Sequence, residues 1–127
     1  MQTERPANIV VLVDAKGPEP GFEKEMKAHC VKVRWAPTIK AIAGLLNSAF
    51  KATVVITELA LKDGNWRDLV ETVRRIDPSI PVVLVSSSST AELWWDALEC
   101  GVEDILPAPL SASPLCQFLA TQLTYPK

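Results

Sequence analysis

Five apolar runs, each closed off by charged or turn-forming residues, constrain this chain more than any other feature of it. They lie at Asn8 to Val13, Val31 to Ala36, Thr53 to Thr57, Ile80 to Ser86 and Val102 to Leu106. Runs such as IVVLV and PVVLV are apolar at every position rather than at alternate ones, which predicts strands covered on both faces. Between them the apolar residues fall at helical spacing. Phe22 to His29 is short and charged. Thr38 to Phe50 carries Ile39, Ile42, Leu45 and Leu46, and Trp66 to Ile76 carries Leu69, Val70 and Val73. Thr90 to Cys100 and Pro114 to Leu123 complete the set. Strand then helix, five times over, predicts a parallel sheet held between helical layers, with right-handed crossovers.

Punctuation agrees with this order. Pro18 and Pro20 precede the first helix, Pro37 the second and the Asp63-Gly64 turn the third, while Pro78 and Pro81 bracket the approach to the fourth strand. Ser89 and Glu92 stand at capping-box spacing before the fourth helix. With 127 residues the chain suits one domain, residues 1–127 with a core over about 8–123. Its composition, 48% hydrophobic and 22% charged, excludes a disordered or fibrous chain. A net charge of −2 with scattered basic residues gives no field for a phosphate backbone, so no nucleic acid is expected as a partner.

The first apolar run is too short for a signal segment or a membrane span, so a cytoplasmic location and no membrane contact are expected. Cys30, Cys100 and Cys116 have neither paired nor metal-ligand spacing, and read as reduced thiols, mostly in the core. His29 reads as a surface residue at a helix end.

In an open parallel sheet, chemistry gathers beyond the carboxyl ends of the strands, at the switch point of strand order. The first strand delivers Asp14, then Ala15 and Lys16. The third ends in Thr57-Glu58, the fourth in Ser86-Ser87 and the fifth in Leu106-Pro107-Ala108-Pro109. Two acids and a hydroxyl should converge there. A plainer reading makes Asp14 and Glu58 solvated acids at strand ends, and their shared place at the switch point favours a site, vestigial rather than active.

VLVDAKGP, ITELALKDGNW, PVVLVSSSS and GVEDILPAPL occur in an order and spacing that resemble the receiver domain of two-component response regulators. The resemblance covers about residues 8 to 123. It implies a (βα)5 flavodoxin-like α/β fold, a three-layer sandwich whose parallel sheet has the order 2-1-3-4-5. Receivers take a phosphoryl group on an aspartate ending the third strand. Neighbouring acids hold magnesium, a lysine ending the fifth strand contacts the phosphoryl group, a Ser or Thr ends the fourth strand, and an aromatic on the fifth rotates inward.

Carried over residue by residue, the resemblance places Glu58 at the phosphoacceptor position, with one methylene more than aspartate and its oxygens displaced from in-line geometry. Asp14 is the surviving member of the acidic pair, because Ala15 follows it; only weak magnesium binding at Asp14 and Glu58 is implied, and no other cofactor. Ser86 keeps the hydroxyl position. Ile105 takes the aromatic switch position without a ring, and Ala108 takes the lysine position without a cation. The resemblance thus implies a degenerate, pseudo-receiver form in which Glu58 is a fixed charge at a former phosphoacceptor.

Trp94 and Trp95 sit in the fourth helix. The helical wheel puts Trp94 in the apolar stripe with Ala91, Ala97 and Leu98, and Trp95 at its edge. The resemblance instead turns the first of such a pair outward, and a third reading buries both. In receivers the face made by the fourth helix, fifth strand and fifth helix binds partners, which implies a protein partner or output domain there and allows a homodimer. Two rival functions stand beside this one: a working phosphoacceptor with an unusual pocket, and a small flavodoxin-like enzyme. Glu58, Ala15 and Ala108 weigh against the first. The absence of GxGxxG, P-loop and GxSxG patterns weighs against the second, and no enzymatic activity is expected. Whether the chain stands alone or forms part of a longer regulator stays open.

Overall fold

In the computed structural model, residues 8–13, 20–48, 52–88 and 90–124 are described. The elements run β1 (Asn8–Val13), α1 (Phe22–Ala28), β2 (Val31–Ala36), α2 (Ile39–Asn47), β3 (Val54–Thr57), β4 (Ala60–Leu61), β5 (Gly64–Asn65), α3 (Trp66–Ile76), β6 (Val82–Ser86), α4 (Ala91–Cys100), β7 (Asp104–Pro107) and α5 (Ala112–Thr124). Five strands form a parallel sheet in the order β2-β1-β3-β6-β7. This is the flavodoxin-like order 2-1-3-4-5, once the small β4-β5 hairpin is set aside.

Period-two alternation divides the strand residues between two cores. Val11, Val55, Val82, Leu84 and Ile105 face one side, where α2, α3 and α4 contribute Ile42, Leu46, Leu69, Val73 and Ala97. Val54, Ile56, Val83, Val85 and Leu106 face the other, against Phe22 and Met26 of α1 and Leu115, Phe118 and Leu119 of α5. Every strand residue of β3 is buried, as the unbroken apolar run requires. Each fully buried side chain of the size of Ile42, Leu69, Leu84 or Leu115 contributes about 1.5–3 kcal/mol of transfer free energy.

The bounds of β1 and β2 are as predicted, while three strands start one or two residues later: Thr53 lies before β3, Ile80 before β6 and Val102 before β7, which also ends one residue later, at Pro107. The hairpin β4-β5 was not expected, since two-residue strands show no periodicity. It has a physical role. Asp63 at its tip accepts hydrogen bonds from the amides of Ile39 (2.9 Å) and Lys40 (3.1 Å), the first turn of α2, which makes it more than a turn former. Thr38 caps the same helix by accepting from the Ala41 amide at 3.0 Å. The cap of α4 also differs from expectation: Thr90 is the N-cap and accepts from the Leu93 amide, and Ser89 lies outside the described residues.

The capping box belongs instead to α3. The Asn65 side chain accepts from the amides of Arg67 and Asp68, and the Asp68 carboxylate accepts from the Asn65 amide at 3.1 Å. His29 is exposed at the C-cap of α1, as predicted. The thiols are less buried than expected: Cys30 is exposed, in the left-handed region at φ 60°, and Cys100 and Cys116 are half-buried at the rims of the two cores.

Candidate functional site

The parallel strands aim their carboxyl ends to one side, and there β3, β6 and β7 leave a cleft of about 460 Å³. Its lining is Glu58, Leu59, Ala60, Val85, Ser86, Ser87, Ala108 and Pro109. Three residues singled out from sequence, Glu58, Ser86 and Ala108, therefore line one cavity although 50 positions separate the outer two. Asp14 and Ala15 fall outside the described residues.

Glu58 directly follows Thr57, whose buried hydroxyl donates to the Glu58 carbonyl at 2.9 Å and holds the backbone as it leaves β3. At the end of β6 the Ser86 hydroxyl donates to the Ser88 carbonyl at 2.6 Å and accepts from the Ser88 amide at 3.2 Å. That oxygen is committed to its own loop. At the end of β7 the Ala108 amide donates to the Ser86 carbonyl at 3.1 Å, and the Ala108–Pro109 bond is cis. A methyl group thus lines the cleft where the resemblance implies an ammonium. Among the described lining residues there is one carboxylate and no cation. Magnesium wants several hard oxygen ligands, and the described part of the cleft offers Glu58 as its sole charged donor, which does not by itself make a magnesium site.

Ile105 does not reach the cleft. It is buried in the core on the α2-α3-α4 side, beneath α4. A groove of about 680 Å³ runs along α1 and α5 and shares no lining residue with the cleft. It contains Cys116, whose thiol pKa is raised by burial and secondarily by Glu25, the opposite of what activates a cysteine nucleophile.

The tryptophan question is settled against two of its three readings. Trp94 is half-buried against the core, while Trp95 is 68% exposed and Leu98 58% exposed. The inward stripe of α4 is Leu93, Trp94, Ala97 and Cys100, centred on Ala97. One residue is about 100° of helix rotation, which carries Leu98 out of the stripe to which the wheel assigned it. The face is held by α3: the Arg67 guanidinium donates to the Asp96 carboxylate at 2.7 Å and lies 4.7 Å from the Trp66 ring centroid. Trp35 was not singled out from sequence. It is 44% exposed on β2, with its indole N–H donating to Glu23 of α1 at 3.0 Å.

Comparison with known proteins agrees with this architecture. The receiver domain of HemR from Leptospira biflexa, non-phosphorylated, superposes with a TM-score of 0.74 at 23% identity, covering 94% of this chain and 97% of that one. A two-component response regulator from Clostridium difficile gives 0.79 at 19% identity, covering 93% and 96%. The DNA-binding transcriptional regulator NtrC of Rhizobium meliloti is 30% identical over 74 residues, which are 58% of this chain and 15% of that protein. No family model matches the chain. The fold is that of response-regulator receiver domains, and the chain spans about 15% of the length of the curated relatives it matches. Among the described residues no helix is long and apolar enough to cross a membrane.

Proposed function

We propose that this chain is a receiver-fold signal-transduction module that does not take up a phosphoryl group and acts through protein contacts on the exposed face of α4. The observation that carries the reading is Ala108 lining the same cleft as Glu58. A phosphorylated carboxylate would bring about −1.5 to −2 charge and three acceptor oxygens. Here it would meet a methyl group and a serine hydroxyl already bonded to its own loop. Among the described lining residues no cation answers such a charge, which is left to solvent alone. Glu58 supplies a single permanent charge, so the module holds one state and is regulated by what binds it.

Intact mass after incubation with a small acyl-phosphate donor and magnesium tests it, with the Ala15→Asp/Glu58→Asp/Ala108→Lys variant run in parallel. The native chain should stay unmodified while the variant gains one phosphoryl mass. A stable adduct on native Glu58 would establish the rival, a working phosphoacceptor.

A further inference from the structure

The net charge of −2 hides a division. Twelve of the thirteen Lys and Arg residues lie within residues 1–75, and between Arg75 and Lys127 there is none, against six Asp and Glu. The basic residues that look scattered along the sequence are therefore confined to one part of it. Because β2 and β7 are opposite edges of the sheet, the fold turns this division of sequence into a division of surface.

On the β2 edge Lys32 and Arg34 are exposed, and so are Lys24 and Lys27 of α1 and Lys40 of α2, the two helices that pack on this strand. Trp35 is exposed on the α1 side of the same strand, and Lys32 and Arg34 on the other. Glu23 and Glu25, the acids of α1, are engaged with the Trp35 indole and, at 3.9 Å, with His29. On the opposite side Glu92, Glu99 and Glu103 are exposed around Trp95 and Leu98, and α4, β7 and α5 contain no Lys or Arg. The bases nearest α4 come from α3: Arg67 is paired with Asp96, and Arg74 lies against Gly101.

The β2 edge thus carries an exposed tryptophan and an excess of bases, with Glu23 and Glu25 as its acids, and the α4 face an exposed tryptophan and an excess of acids, with Arg67 and Arg74 as the bases beside it. The edges cannot meet within one molecule. A two-fold contact of α4 on α4 would place Glu92, Glu99 and Glu103 against their own copies, and like charges in juxtaposition disfavour a pairing. We propose that this chain self-associates head to tail, the basic β2 edge of one copy docking on the acidic α4 face of the next. The proposal rests on the reading that the α4 face is the partner surface, and names a second copy as its occupant. Trp35 and Trp95 are the anchors, since tryptophan dominates interface energetics. A heterologous contact of this kind does not close at two copies; it builds rings or open chains.

Sedimentation of the native chain from micromolar to millimolar concentration, at low and high salt, tests the proposal. Species larger than a dimer should appear at low salt, with the dissociation constant weakened at least about tenfold at high salt, because exposed charges are screened. Two charge-reversed variants make the test specific: Lys32→Glu/Arg34→Glu, and Glu99→Lys/Glu103→Lys, each checked for a native circular-dichroism spectrum. Each alone carries one sign on both edges and should sediment as a monomer; mixed, they should assemble again. A native chain that stays monomeric at every concentration and salt overturns the proposal. So does association that survives Lys32→Glu/Arg34→Glu but is lost in Trp95→Ala, which would mean an α4-to-α4 dimer. A monomer that binds a basic amphipathic peptide through Trp95 would overturn self-association while leaving α4 a partner surface. None of these outcomes bears on whether Glu58 is phosphorylated, which the mass measurement decides separately.

Discussion

Glu58 differs by one methylene from the aspartate that a receiver phosphorylates, yet what surrounds it decides more than that methylene does. Ala108 provides no charge to answer a phosphoryl oxygen, so restoring the aspartate alone leaves the anchor missing. Glu58→Asp as a single change should stay unphosphorylated, or gain far less adduct than the triple variant, by the same mass measurement. Asp63 shows the opposite case, a carboxylate whose role lies away from the cleft. Hydrogen bonds from the Ile39 amide, then the Lys40 amide, lower its pKa in the folded state. A depressed folded pKa contributes stability that is present above the unfolded value, about 3.9, and is lost as pH falls through the folded one. Asp63→Ala should lower the urea midpoint at neutral pH and flatten the loss of stability below about pH 4. An unchanged acid limb would remove Asp63 as a support for the first turn of α2 beside the Thr38 cap. Gly101, at φ 89° with the Arg74 side chain where a Cβ would sit, should cost about 1–2 kcal/mol or more when changed to alanine.

At the scale of elements, α3 and α4 respond to substitution in different ways. Trp66 is buried at the start of α3, so Trp66→Ala should cost about 3–5 kcal/mol in denaturant titration. Trp95→Ala, on the exposed face of α4, should stay within about 0.5 kcal/mol of the native stability. If both cost alike, α4 is packed differently from the arrangement described. The same two helices show what was legible in the sequence. The bounds of α3 are legible in the sequence because a 3.6-residue period, a preceding turn and a terminal change of composition all coincide. In α4 a wheel with Trp94, Ala97 and Leu98 on one side places the stripe too far round, because apolar residues occupy more of the helix than the core covers and Leu98 is left outside. Asn65-x-x-Asp68 carried a readable capping signal that Ser89-x-x-Glu92 overshadowed. The role of Asp63 was unreadable for a different reason: its partners lie 24 and 23 residues away, so only the folded chain brings them together.

For the whole molecule, the fold was legible because unbroken apolar runs alternating with amphipathic segments leave few ways to bury both faces of every strand. The cleft was legible because strand ends in such a sheet must share one side, which brings Glu58, Ser86 and Ala108 together. The division of charge was not, because a net value and a scatter along the sequence conceal which sheet edge each residue reaches. The central claim is that this cleft does not accept a phosphoryl group, and the most direct measurement is a two-dimensional amide NMR spectrum with and without beryllofluoride and magnesium, which mimic a phosphorylated carboxylate without needing turnover. The amides of Glu58 to Ala60, Ser86 to Ser88 and Ala108, and those of α4, should keep their positions at saturating reagent. A second, slowly exchanging set of peaks spreading from Glu58 to α4 would show a site that binds the phosphoryl mimic and a switch that still moves.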